Sequence, residues 1–174
     1  MPPAAPVVAG ATLAGVLRRL AAALYDALLL LALAVLVTLL SLALNGGAAI
    51  TRAAVGHWEY AYVALLLAVV TAYYGSAWTR SGETLGMKAW RIRVEGRDGA
   101  RLLWRGALIR LACAAPLYLL ALGGVLAFAA RLGGWPLLAA CCLPLAASYA
   151  WLLAGGRGTL HDRWSRTRVV RTRP

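Results

Sequence analysis

Long runs of apolar residues separated by short polar segments make up most of this chain. Four of the runs have roughly the 20 residues that an α-helix needs to cross the ~30 Å hydrocarbon core of a bilayer. They lie at approximately residues 19–44, 58–79, 105–130 and 133–156. The pattern therefore predicts an all-α integral membrane protein with four transmembrane helices.

The loop between the second and third predicted helices follows a shorter period. Apolar and charged side chains alternate from Trp90 to Glu95, which is typical of a half-buried strand. Gly96–Gly99 carries turn residues, and Arg101–Leu103 is placed to pair back as a second strand. We therefore predict a small amphipathic β-hairpin in this loop, with its apolar side against lipid or the helix ends.

The segments outside the helices set the domain boundaries. Residues 1–15 are rich in proline and alanine and predict a flexible N-terminal tail, residues 16–170 form one membrane domain, and residues 171–174 are a basic C-terminal end. We expect the first helix to be retained, because it is too long for the core of a signal peptide. The segment after the fourth helix either folds onto the inner face or remains a solvated tail.

Charge distribution gives these helices an orientation. The chain is 62% hydrophobic with a mean hydropathy of +0.73, yet its net charge is +12. Basic residues concentrate in the middle loop and the C-terminal segment, whereas the loop after the first helix holds only Arg52. The positive-inside rule then predicts cytoplasmic termini and a cytoplasmic middle loop, and disfavours nucleic acid as the partner. The same face offers a surface to anionic lipid headgroups, formed by Lys88, Arg91, Arg93, Arg163 and Arg166.

Three charged residues of the first and third predicted helices are the first candidates for a functional site. Asp26 follows the start of the first helix by one or two turns, at a position where a carboxylate is expensive to keep unless it has a partner or a task. Arg19 precedes it by seven positions and shares its helical face. Arg110 lies about one turn inside the third helix, where it either extends to the headgroups or pairs with Asp26.

The remaining reactive side chains give no catalytic or metal-binding pattern. We expect three cysteines inside the predicted helices to be packing residues rather than disulfides or ligands. The two histidines, His57 and His161, fall on opposite sides of the predicted membrane. The glycines of Gly82–Lys88 lack the adjacent Gly-Lys-Ser/Thr of a phosphate-binding loop. We therefore expect no metal, no cofactor and no enzymatic activity.

Three separated motifs together resemble a known family. They are Arg19 with Asp26, the segment Gly-Glu-Thr-Leu-Gly-Met-Lys at 82–88 followed by Arg-Ile-Arg-Val, and His-Asp-Arg at 161–163 followed by Thr-Arg-Val-Val. In this order they are similar to the RDD family of small bacterial inner-membrane proteins, named for an arginine and two aspartates. By position these would be Arg19, Asp26 and Asp162. The resemblance implies a multi-pass protein of the bacterial inner membrane, and some members of the family are thought to take part in cation/proton exchange.

Two hypotheses for the function remain open. In the first, a buried network fixes the helix packing of a structural or accessory module, whose basic face binds anionic lipid or a membrane or cytoplasmic protein. In the second, Asp26 binds a monovalent cation and a proton in turn, and the small number of helices then calls for a homo-oligomer. Both hypotheses use the same four residues: Arg19, Asp26, Arg110 and Asp162. The residues alone favour the first hypothesis slightly.

Overall fold

Four long helices form the body of the protein. The computed structural model describes residues 12–44, 58–155 and 158–172, so Arg52 and His57 lie outside the described residues. The elements in chain order are α1 (Val16–Leu44), α2 (Trp58–Arg80), α3 (Leu85–Ala89), β1 (Ile92–Gly96), α4 (Trp104–Ala129), α5 (Trp135–Leu153), α6 (Leu160–Trp164) and β2 (Thr167–Arg171). Within the described part, α1, α2, α4 and α5 are long and apolar enough to cross a membrane. This confirms the prediction of four such helices.

Large apolar side chains point outward over most of the length of these helices. Leu36 and Leu40 of α1, for example, are 62% and 60% exposed. Such exposure is what a bilayer requires, since lipid rather than a protein core covers the apolar surface. The buried core lies instead at one end of the helices, and its members are Ala14, Ala22, Trp78, Ile92, Val94, Leu102, Ala107 and Val169. We call this end the charged end, because the ion pairs described below lie there.

A two-stranded antiparallel sheet closes the charged end. β1 pairs with β2, with Val94 opposite Val169 and Gly96 opposite Thr167. The predicted hairpin is therefore wrong, since the second strand comes from the C-terminal segment and residues 101–103 form no strand. The physical reason is apolar content: β2 supplies two adjacent buried valines, whereas Leu102 packs into the core singly.

The chain before α1 adds to the other edge of β2. The Ala14 N–H donates to the Val169 carbonyl at 3.0 Å, and the Arg171 N–H donates to the Thr12 carbonyl at 2.9 Å. Leu13 forms an isolated antiparallel bridge with Val170. Residues 12–15 thus belong to the folded charged end rather than to a flexible tail, and the C-terminal segment folds back as one of the two predicted alternatives.

Candidate functional site

The short helix α6 holds Asp162 in a fixed orientation. Its sequence begins Thr-Leu-His-Asp, a capping box in which the Thr159 side chain accepts from the Asp162 N–H and the Asp162 carboxylate accepts from the Thr159 N–H at 3.2 Å. Gly158 precedes the cap with a φ of 137°, a left-handed conformation that favours glycine. The cap leaves the Asp162 carboxylate only 1% exposed and directed into the core.

Two arginines from different helices meet at this carboxylate. Arg19 of α1 donates from Nη1 to Asp162 Oδ2 at 2.5 Å, and Arg110 of α4 donates from Nη1 to Oδ1 at 2.7 Å. The arginines are 6% and 4% exposed, so both ion pairs are buried. We call Arg19, Arg110 and Asp162 the Asp162 cluster. It ties α1, α4 and the C-terminal segment to one another.

Further contacts occupy both guanidinium groups. Arg19 donates from Nε to the Ala14 carbonyl at 2.9 Å and from Nη2 to the Val169 carbonyl at 3.3 Å. Arg110 also donates to the Thr167 hydroxyl, and its Cζ lies 5.3 Å from the centre of the Trp78 ring. Charged donors that are buried in this way are stable only when acceptors surround them. The additional acceptors come from the N-terminal segment and β2, so both segments contribute hydrogen bonds to the cluster.

The protonation states at the charged end follow from burial and the arginines. Burial alone raises the pKa of Asp162, but the adjacent Arg110 and Arg19 outweigh it and hold the pKa well below its usual range. Burial, together with the neighbouring positive charge of Arg110, lowers the pKa of His161 to about 4. At neutral pH the aspartate is therefore ionised and the histidine neutral. The two arginines exceed the single carboxylate, which gives the Asp162 cluster a net charge of +1.

Asp26 lies in a separate site. Its Oδ1 accepts from the Tyr73 hydroxyl at 2.7 Å and the Gly86 N–H at 2.9 Å, and its Oδ2 accepts from the Thr84 hydroxyl at 2.5 Å. The side chain is 2% exposed, and it forms no ion pair among the residues that the structure describes. Neither of the two alternatives for Arg110, extension to the headgroups or pairing with Asp26, is correct, because Arg110 is buried and binds Asp162.

The start of α3 explains why Asp26 needs no arginine. Thr84 caps this helix by accepting from the Met87 N–H at 3.1 Å, while the free N–H of Gly86 is aimed at the Asp26 carboxylate. A Cβ on Gly86 would collide with the Ala22 carbonyl and with Asp26 itself. Only glycine allows α3 to lie this close to α1. The carboxylate of one helix thereby fixes the loop that follows another.

The four predicted site residues are thus all buried but belong to two groups. Arg19, Arg110 and Asp162 form one group, and Asp26 forms the other with Tyr73, Thr84 and Gly86, which sequence reasoning missed. The Gly-Glu-Thr-Leu-Gly-Met-Lys segment at 82–88 was the signal that could have found two of them. Arg19 and Asp26 do share one face of α1, on which the intervening buried residue is Ala22.

The predicted lipid surface is exposed at the charged end. Its members are Lys88, Arg91, Arg93, Arg163 and Arg166. Arg93 is partly engaged, since it donates to Glu95 at 3.2 Å, and Glu95 also accepts from Arg168 at 2.7 Å.

Over residues 12–44, 58–155 and 158–172, no three His, Cys, Asp or Glu side chains come close enough to hold a metal ion.

Two arginines and two aspartates are buried at the charged end, among them Arg19, Asp26 and Asp162. A family model described as the RDD family matches residues 13–166. The chain belongs to the RDD family. RDD proteins are membrane proteins, in agreement with the four long apolar helices. Searches of curated proteins and of solved structures gave no match.

Proposed function

We propose that this RDD protein is a structural or accessory module of the bacterial inner membrane, with both termini in the cytoplasm and no enzymatic activity. Its buried charges fix the charged end, and its basic face binds anionic lipid or a protein partner. One observation carries the proposal: Asp162 receives an arginine from each of two membrane helices, although it lies in the C-terminal segment. Such an arrangement holds distant parts of the chain together.

The contacts of the Asp162 cluster support a permanent structure rather than a cycle of binding and release. Both carboxylate oxygens accept from arginine, and the cap at Thr159 occupies Oδ2 once more. Removing one partner from a buried ion pair leaves an uncompensated charge, which typically destabilises a protein by about 3–5 kcal/mol. A carboxylate that must exchange ions during a cycle would gain nothing from two such partners.

A second candidate function is monovalent cation/proton exchange at Asp26, in a homo-oligomer. It is favoured by one observation, a buried carboxylate on a membrane helix without an ion pair in the described part of the chain. Its surroundings favour the structural role, however. Three donors direct hydrogen atoms at the carboxylate, whereas a cation needs oxygen lone pairs directed at it. A cation would have to displace or reverse these donors, and the Gly86 N–H has no lone pair to offer.

Reconstitution into liposomes with a trapped pH dye separates the two functions. We expect sodium, potassium or lithium pulses to produce no pH change through the wild-type protein. A cation-driven pH change that is lost in a folded Asp26→Asn variant but kept in Asp98→Asn would overturn the structural proposal. Asp98 is the matched control, since it is an exposed carboxylate in a turn.

The lipid contact has its own test in nanodiscs. The thermal unfolding temperature should be higher in nanodiscs that contain phosphatidylglycerol than in pure phosphatidylcholine, and the difference should shrink with added salt, because exposed charges are screened. Equal unfolding temperatures in the two lipids would contradict the proposed contact.

A further inference from the structure

Three arginines meet where the turn after β1 lies against the end of α6. The Arg97 N–H donates to the Arg166 carbonyl at 3.3 Å, and Arg97 Nη2 donates to the Arg163 carbonyl at 3.5 Å. Gly96 pairs with Thr167 in the sheet, so Arg97 and Arg166 are the next residues along the two paired strands. All three side chains are exposed. The backbone therefore brings three exposed arginines from two distant parts of the chain next to one another.

An aromatic ring fixes one of these arginines beside a membrane helix. The Arg163 Cζ lies 5.5 Å from the centre of the Trp151 ring, within the range of a cation–π contact. Trp151 stands in the last turn of α5 and is 46% exposed. Tryptophan at the end of a membrane helix lies at headgroup depth. The Arg163 guanidinium is thereby placed at the level of lipid phosphates.

The acidic residues near the three arginines are engaged elsewhere. Among the described residues, none of Arg97, Arg163 and Arg166 forms an ion pair. Glu95 is already shared by two other arginines. Asp98, next to Arg97 in sequence, accepts from the Ala100 N–H at 3.1 Å through Oδ1, and Asp162, next to Arg163, pairs with Arg19 and Arg110. Neighbouring arginines without carboxylate partners favour the binding of an anion from outside the chain.

We propose that Arg97, Arg163 and Arg166, with Trp151, form a binding site for the headgroup of an anionic phospholipid that carries two phosphates. The guanidinium group matches phosphate oxygens with paired donors, and basic pockets beside membrane helices bind such headgroups. A membrane lipid is the occupant rather than a soluble phosphate, because Trp151 and the exposed Leu153 continue the site onto the apolar surface of α5. The inference rests on the proposed lipid contact of the basic face and gives it one defined site.

The test compares two triple variants of the full chain that lose the same charge. The site variant is Arg97→Gln/Arg163→Gln/Arg166→Gln. The control is Arg80→Gln/Arg101→Gln/Arg105→Gln, which changes three exposed arginines outside the basic face. Native mass spectrometry of protein titrated with cardiolipin in detergent gives the apparent Kd. We expect the site variant to bind about tenfold more weakly or worse, and the control to bind within about threefold of wild type. Thermal unfolding checks that both variants fold.

A single conservative variant guards against misfolding of the triple variant. Arg163→Lys keeps the charge but loses the planar group that stacks on Trp151 and pairs with phosphate, so cardiolipin should bind more weakly to it than to the control. Wild-type affinity in this variant would contradict the site.

The outcomes also separate this site from the proposed function. Equal weakening in both triple variants would overturn the site while leaving a lipid-binding basic face intact. A wild-type protein that binds cardiolipin no better than phosphatidylcholine would overturn both the site and the lipid contact of the basic face, while the structural role of the Asp162 cluster is tested separately by unfolding. Displacement of cardiolipin by millimolar inorganic phosphate would overturn the choice of a lipid as the occupant.

Discussion

Replacing Asp162 by asparagine removes the charge of the Asp162 cluster with little change in shape. The amide oxygen can still accept from the Thr159 N–H, but Arg19 and Arg110 lose the carboxylate between them. Because the arginine side chains are 5% and 4% exposed, two positive charges would remain buried without an anion. We expect a loss of about 3–5 kcal/mol, a large share of the ~5–15 kcal/mol that stabilises a typical protein.

Thermal unfolding in detergent measures this loss through the fluorescence of the seven tryptophans. For a chain of this size the expected loss corresponds to a decrease of roughly 6–20 °C in Tm. Asp98→Asn is the control and should stay within about 0.5 kcal/mol of wild type, because Asp98 is exposed. A stability of Asp162→Asn within about 1 kcal/mol of wild type would refute the structural role of the cluster.

An apolar replacement of the whole cluster separates the effect of unpaired charges from the effect of lost hydrogen bonds. The triple variant Arg19→Met/Arg110→Met/Asp162→Leu leaves no charge in the Asp162 cluster, so it should be more stable than Asp162→Asn even though it changes more atoms. A triple variant that is less stable than the single one would mean that the lost hydrogen bonds to Ala14 and Thr167, rather than the unpaired charges, dominate.

Three further predictions follow from other parts of the charged end. Gly86→Ala should destabilise the protein by about 1–3 kcal/mol in thermal unfolding, because the new methyl group meets the Ala22 carbonyl. The control Gly123→Ala, whose new methyl group meets open space, should not destabilise it, and equal effects of the two variants would contradict the close packing of Gly86. The free energy of unfolding should fall as the pH drops from about 6.5 to 4, because the unfolded chain protonates His161 at a higher pH than the folded chain does. In a pH series of unfolding curves His161→Gln should flatten this slope, and an unchanged slope would refute the burial of a neutral His161. Val170→Asp should expose the charged end to limited proteolysis, because Val170 is 0% exposed, and wild-type protease resistance would contradict the packing of β2.

The apolar runs were enough to predict the four helices, but the partner of β1 was not predictable from them. Alternation from Trp90 to Glu95 identified a strand, and the turn at Gly96–Gly99 suggested a hairpin. The true partner, Thr167–Arg171, lies more than 70 residues away in the sequence. Local turn signals favour near neighbours, whereas burial of adjacent valines decides between near and distant partners only in the folded chain.

The candidate site shows the same limit of prediction from local sequence patterns. Helical periodicity correctly put Arg19 and Asp26 on one face of α1, since both are buried there. Periodicity says nothing about which element covers that face, and two elements share it: α6 contacts Arg19, and the start of α3 contacts Asp26. The two alternatives for Arg110 therefore did not include its true partner, Asp162. Opposite charges near the same end of two helices do not define a pair.

The central claim is that the two aspartates belong to separate sites, with Arg110 bound to Asp162 and not to Asp26. Two double-mutant cycles on thermal or denaturant unfolding test it most directly, one combining Arg110→Met with Asp162→Asn and the other combining Arg110→Met with Asp26→Asn. We predict a coupling energy between about 0.5 and 3 kcal/mol in the first cycle and within about 0.5 kcal/mol of zero in the second. A strong coupling of Arg110 to Asp26 with none to Asp162 would contradict the account.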